Sequence, residues 1–216
     1  MAFPSQAQGY LRHPLTAALG SAGNVRVLRA LTSDRSPQSA PQLAAAAGLT
    51  PQGTRGVLDV LVRQRLVKAH GSGRTQLYEL NASHPLASSL ASLFHDEQRR
   101  WDELLKSIRE VLEGHGAAVS AAWLYGSVAR GEDSPASDLD IALVLRSQAA
   151  ADRIREDLMP LEDAQHIRIS LTALTAEEFA ALPVDDPWWA NVVRDGRVLK
   201  GPAPEQARRR LARVAA

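Results

Sequence analysis

A chain of 216 residues is long enough for two small domains, and its 45% hydrophobic content can give each a core. It has no cysteine, which excludes disulfides and thiolate metal sites, leaves carboxylates, imidazoles or phosphates to hold any metal, and leans toward the cytoplasm. The net charge of +1 hides a division: residues 1–84 carry nine lysines and arginines against three acids, 85–115 four against six, and 116–216 twelve against fifteen. A basic head before an acidic body suits a polyanion-binding module joined to something else.

The opening MAFPSQAQGY has neither a basic n-region nor an apolar h-region, and no later run reaches the roughly 18 apolar residues of a membrane helix. The expectation is a soluble, cytoplasmic chain with no membrane partner. From Asn24 to Leu31 the apolar residues Val25, Val27, Leu28 and Leu31 keep helical spacing, and a second helix is expected over Pro41–Ala47. Gly48 then tolerates left-handed geometry, and Thr50 with Pro51 offers an N-cap followed by a proline at the first helical position.

Along this third helix Val57, Leu58, Leu61 and Val62 form the buried stripe, which leaves Gln52, Thr54, Arg55, Arg63 and Gln64 for other surfaces. Residues 66–69, the turn Gly71-Ser72-Gly73 and residues 75–80 read as a two-stranded wing with Arg74 at its tip. Helix, helix, turn, helix, hairpin resembles the winged helix-turn-helix of many bacterial transcription regulators over residues 15–82. The resemblance implies DNA as a partner, with Gln52, Thr54, Arg55, Arg63 and Arg74 as candidate DNA-binding residues. The alternative is a small helical domain that mediates protein contacts.

Residues 85–115 continue with apolar residues at helical intervals, from Leu86 and Leu90 through Trp101 and Leu104 to Leu112. A connecting helix is expected there, packing within the chain or pairing with its copy in a homodimer, as winged-helix regulators on palindromic sites do. After it, Val119–Tyr125 reads as a strand running into Gly126-Ser127, and a second strand, Leu139–Leu145, is introduced by Ser137-Asp138-Leu139-Asp140.

The passage WLYGSVARGEDSPASDLDIALVL, residues 123–145, resembles the signature of the DNA polymerase beta nucleotidyltransferase superfamily, in particular its minimal prokaryotic members. The aminoglycoside nucleotidyltransferases and CCA-adding enzymes share that fold. The resemblance implies a nucleoside triphosphate as substrate, Mg2+ or Mn2+ as cofactor, and a hydroxyl acceptor. Each motif residue has a physical reason. Gly126 lets the backbone approach a triphosphate, Ser127 can donate to it, and the helix starting there offers amides and a positive dipole end. Asp138 and Asp140, two apart on a strand, project from one face and can share divalent cations as the metal-binding and catalytic pair. Arg130 and Ser137 complete the candidate nucleotide-binding set, although Arg130 can equally pair with Glu132 or Asp133.

In active members of this family a third carboxylate on a later strand completes the site. The candidate strand here is His166–Leu174, followed by a helix from Thr175, and aligning on that helix puts Ser170 where the aspartate belongs. His166, Arg168, Ser170 and Thr172 share one strand face, with no acid among them. Glu162 and Asp163 can substitute only if a loop folds back, and His166 is the other candidate proton acceptor. Farther on, Trp188 and Trp189 either stack a base or pack a core, and Arg208-Arg209-Arg210 forms a basic tail.

The expected architecture is α+β: a winged helix-turn-helix at 1–84, a connecting helix at 85–115, and a nucleotidyltransferase domain at 116–216 with a small mixed sheet and a helical tail. The function expected is nucleotidyl transfer from a nucleoside triphosphate to a protein or nucleic-acid hydroxyl, in a protein recruited to DNA or regulating its own promoter. Minimal members often occur in toxin-antitoxin pairs and modify a partner protein or a tRNA. The alternatives are a transcription regulator whose nucleotidyltransferase domain senses nucleotide without turnover and, last, a nucleic-acid scaffold with no nucleotide site.

Overall fold

Capping chemistry delimits the first helices. Ser21 accepts a hydrogen bond from the Asn24 amide to start α2 (Ala22–Ser33), after a short α1 (Pro14–Ala18). A two-residue strand, β1 (Gln38–Ser39), leads into α3 (Ala40–Ala47), which stops at Gly48 in the left-handed region (φ 60°). Thr50 then accepts from the Gly53 amide and opens α4 (Pro51–Arg63). The remaining elements are β2 (Val67–His70), β3 (Leu77–Leu80) and the long α5 (Ala87–Gly114). The computed structural model describes residues 14–183 and 185–214. Residues 1–13, which open the expected winged-helix domain, residues 215–216 at the end of the tail, and the side chain of Arg74 lie outside the described residues.

The chain divides into two units, residues 1–100 and 101–216. In the first, an antiparallel sheet of order β1-β3-β2 backs three helices, with Val27, Leu28, Leu31, Leu43, Leu58 and Leu61 in the core. Each such side chain contributes roughly 1.5–3 kcal/mol by leaving water. The first half of α5 adds Leu90 and Phe94 to this core, and Arg29 forks onto Glu97 to hold α5 to α2. A single turn of 3-10 helix, Gly73–Thr75, occupies the wing tip, so the second wing strand begins at Leu77 rather than at residue 75.

One candidate DNA-binding residue is corrected here. Thr54 is fully buried, and its hydroxyl donates to the Thr50 carbonyl at 3.0 Å, so it has no surface to offer a base. The reason is helical phase: Thr54 lies one turn before Leu58 on the stripe that faces the core. Gln52, Arg55 and Arg63 are exposed, and they share the outer face of α4 with the exposed Asp59.

The second unit takes the rest of α5, then β4 (Val119–Tyr125), α6 (Gly126–Arg130), β5 (Leu139–Leu145), α7 (Ala149–Gln165), β6 (Ile169–Thr175), α8 (Ala176–Ala181), α9 (Pro187–Asp195), β7 (Arg197–Lys200) and α10 (Pro204–Val214). Its sheet has order β6-β5-β4-β7, with β5 and β6 parallel and the other neighbours antiparallel. Side chains such as Leu124, Ile141 and Leu143 pack on one face with Ile108, Leu112 and Ile154 from α5 and α7. On the other face Trp123, Phe179 and Trp189 form an aromatic cluster, with Phe179 and Trp189 edge to face at 4.7 Å. The buried indole N–H of Trp123 donates to the Pro202 carbonyl.

At the far end of the sheet the Lys200 ammonium donates to the carbonyls of Leu112 and Gly116, closing the C-terminus of α5 with a cation where the helix dipole favours one. Among the described residues no helix is long and apolar enough to cross a membrane.

Candidate active site

Strand register assembles the site. Tyr125 on β4 pairs with Asp140 on β5, which pairs in parallel with Ser170 on β6, so the three side chains stand in one row. Asp138 stands two residues before Asp140 and shares its face, while Leu139 between them is buried on the other. The Ser170 hydroxyl donates to the Asp140 carboxylate. Burial raises the pKa of Asp140 above the usual carboxylate value, the charge of Asp138 raises it further, and the Ser170 bond opposes both.

Gly126 is required where it stands. Its φ is +78°, and a Cβ at this position would lie 2.5 Å from Asp140 Oδ2, so the absent side chain is the space the carboxylate occupies. Ser127 beside it is half-buried. The helix they open is only five residues long. Its first amides are free to meet an anion, but the dipole expected to support them is correspondingly small.

The other candidates have structural duties. Arg130 donates to Glu132 (2.7 Å) and to Asp195 (2.6 Å), so its guanidinium fixes α6 against α9 rather than standing open for phosphate. The pairing with Glu132 was one of the alternatives open in the sequence; Asp195, 65 positions away, was not. Ser137 Oγ accepts from the Ser134 amide (3.0 Å) and so shapes the turn that delivers Asp138.

Neither substitute for the third carboxylate is in place. The strand expected from His166 begins at Ile169, because α7 runs to Gln165 and His166 is its left-handed C-cap (φ 52°). His166 therefore lies off the strand face it was assigned to. Glu162 sits on α7 and accepts from the Ile169 amide at 2.6 Å, anchoring the start of β6, and Asp163 is exposed on the same helix. Among the described residues no group of three or more His, Cys, Asp or Glu side chains is placed to hold a metal ion.

Of the tryptophans, Trp189 is core, 3% exposed, while half-buried Trp188 donates to the Tyr125 hydroxyl (3.0 Å). Tyr125 in turn lies 3.2 Å from Thr172 Oγ1. This chain from Trp188 through Tyr125 to Thr172 borders the carboxylate row. Strand parity was the signal for it, since Tyr125 sits immediately before Gly126 and in phase with Trp123. In the basic tail, Arg208 donates to the carbonyls of Leu182 and Pro183 and covers the Trp189 ring. The depression lined by Trp189, Val193, Glu205, Arg208 and Arg209 is open and includes neither site carboxylate.

Asp195 gives this region a pH dependence. Its side chain is 3% exposed, and hydrogen bonds from Arg194 and then Arg130, against the cost of burial, depress its pKa from 3.8 to about 2. A depressed folded-state pKa means that the stabilisation is fully present above the unfolded value and lost as pH falls through the folded one. The melting-temperature gap between the wild type and Asp195→Asn should therefore be smallest near pH 2, widen up to about pH 4 and stay flat above it. A gap that is constant across this range would show that the network contributes no pH-dependent stability.

This arrangement, a mixed four-stranded sheet with paired aspartates at one strand end and a Gly-Ser turn beside them, defines the domain class. Residues 106–182 match the family model described as polymerase beta, nucleotidyltransferase, and residues 10–91 match that described as O-methyltransferase dimerisation domain. The chain is α+β, with an N-terminal helical domain carrying a small antiparallel sheet and a C-terminal nucleotidyltransferase domain of polymerase beta type.

Among solved structures, the chain is similar to a mutant of the toxin-antitoxin MntA-HpeT, with 18% identity, 51% of this chain and 86% of that one covered, and a TM-score of 0.37. A toxin-antitoxin with AMP-PNP gives 18% identity, the same coverage and a TM-score of 0.36. Human N-acetylserotonin methyltransferase in complex with SAM gives 22% identity over 50% of this chain and 37% of that one, with a TM-score of 0.26. No curated protein matches the chain.

Proposed function

We propose that the C-terminal unit transfers a nucleoside monophosphate from a nucleoside triphosphate to a hydroxyl on a protein or nucleic acid. The observation that carries this reading is the Asp140 carboxylate seated in the space left by Gly126, with the Asp138 charge acting on it. The donor set fits Mg2+ or Mn2+, since both side chains offer hard oxygens, and Asp138 Oδ1, shut off from solvent, faces the Arg168 guanidinium at 2.7 Å without an aligned hydrogen bond. When bound, such a cation neutralises triphosphate charge and polarises the reacting phosphorus.

The protein's own part is positional. Asp138 and Asp140 hold the cation, Gly126 admits the phosphates to the backbone, and Ser127 donates to them. Arg130 and Ser137 act indirectly, by fixing α6 and the turn before Asp138. With Ser170 in the row, no side chain there stands ready to take the acceptor proton. Loss of a general base slows such steps on the order of 100- to 10,000-fold. That same observation favours a second reading, a regulator that binds nucleotide without turnover.

For the N-terminal unit we favour pairing of two copies of the chain, supported by the dimerisation-domain match and by acidic Asp59 on the outer face of α4. DNA contact through Gln52, Arg55 and Arg63 rests on the basic surplus of residues 1–84. Light scattering with and without duplex DNA separates the two, because pairing persists without DNA.

Calorimetric titration with each nucleoside triphosphate and Mn2+ tests the catalytic unit. The wild type should bind at least one of them, and the Asp138→Ala, Asp140→Ala double variant should bind none. A wild type that binds no nucleotide would remove both nucleotide readings.

A further inference from the structure

Arg168 lies immediately ahead of β6, where its carbonyl accepts from the Leu139 amide at 2.8 Å, so its backbone is tied between the two site aspartates. Its Nε lies 2.7 Å from Asp138 Oδ1, an ion pair without hydrogen-bond alignment, while its Nη2 donates to the Ala136 carbonyl at 3.1 Å. The Arg168 side chain is 72% exposed and that of Asp138 40%. A largely exposed cation beside the site therefore neutralises the carboxylate that a metal ion would need.

The charge balance gives this a consequence. A row with two aspartates and no third acid has a charge of −2, and Arg168 reduces it to −1. A bare divalent ion entering this row must displace or repel the guanidinium. A metal ion arriving with a triphosphate brings its own phosphate oxygens, which a planar guanidinium can engage in a forked pair.

We propose that Arg168 is a counter-cation that screens Asp138 in the free chain and moves to the triphosphate when metal and nucleotide enter together, so that the site selects the metal–nucleotide complex over free metal. The proposal rests on the nucleotidyltransferase reading and adds a determinant of what the site accepts.

The test measures binding without turnover. Mn2+ alone, and a non-hydrolysable nucleoside triphosphate at saturating Mn2+, are titrated into the wild type, Arg168→Gln and Arg168→Lys. An exposed ion pair is worth up to about 1 kcal/mol, or roughly fivefold. Arg168→Gln should thus bind free Mn2+ about fivefold more tightly and the nucleotide about fivefold or more weakly, while Arg168→Lys stays near wild type for free Mn2+. Unchanged or weaker Mn2+ binding by Arg168→Gln would overturn the proposal, as would unchanged nucleotide binding. If the wild type binds metal and nucleotide through Asp138 and Asp140 while Arg168→Gln behaves like it, this inference alone falls. If no variant binds Mn2+ with or without nucleotide, the parent reading falls with it.

Discussion

Gly126→Ala should lower metal-dependent nucleotide affinity by about tenfold or more and reduce stability by about 1–2 kcal/mol. The stability part is backbone strain, since φ +78° lies in the left-handed region that a Cβ disfavours. The affinity part is steric: the new Cβ would meet Asp140 Oδ2 at 2.5 Å, and the carboxylate must move out of the row it shares with Ser170. Displaced supports of metal ligands typically weaken metal binding 10- to 100-fold.

Gly131→Ala separates the two effects. Gly131 has a comparable φ of +72°, but nothing lies within 4 Å of its would-be Cβ. Both variants should lose similar stability in a thermal melt, and only Gly126→Ala should lose nucleotide in calorimetry. Equal nucleotide affinity in the two would mean that the placement of Asp140 against Gly126 is not what binds the ligand.

What the sequence made legible here was local. Thr50, Pro51 and Gly48 act within a turn of their own positions, and each did what its chemistry dictates. The strands Val119–Tyr125 and Leu139–Leu145 stand out because buried strands are near-continuous apolar runs. The placement of Ser170 opposite Asp140 also follows from strand order and the helix that comes after.

The misses have physical causes. Helix α7 carries Pro160 and a run of charges that blur its apolar period, so residues 146–165 show no clear element by sequence, and β6 begins at Ile169, three residues after His166. The polarity of Thr54 points to the surface, but helical phase sets it on the buried stripe. Arg130 with Asp195, Lys200 with the end of α5, and Trp188 with Tyr125 join positions 63 to 88 residues apart, and no spacing rule reaches that far.

Ser170→Asp is the substitution expected to change catalysis most. A carboxylate there would stand directly beside Asp140 in the parallel register and give the row a third hard oxygen ligand. Without metal it should be unfavourable, because Asp140 is already held above the usual carboxylate pKa by burial and by Asp138, and the variant exchanges a hydrogen-bond donor for a third negative charge. The metal-free variant should therefore melt below wild type, and Mn2+ should raise its melting temperature by more than it raises that of the wild type. If Ser170 occupies the position of the missing base, labelled-nucleotide transfer should increase on the order of 100-fold. Tighter Mn2+ binding with no gain in transfer would favour the nucleotide-sensing regulator, since the metal site would then be complete and the chemistry still absent. No change in either would show that Ser170 is not the vacant position, because a carboxylate placed beside Asp140 must alter its affinity for a divalent cation if the two share one.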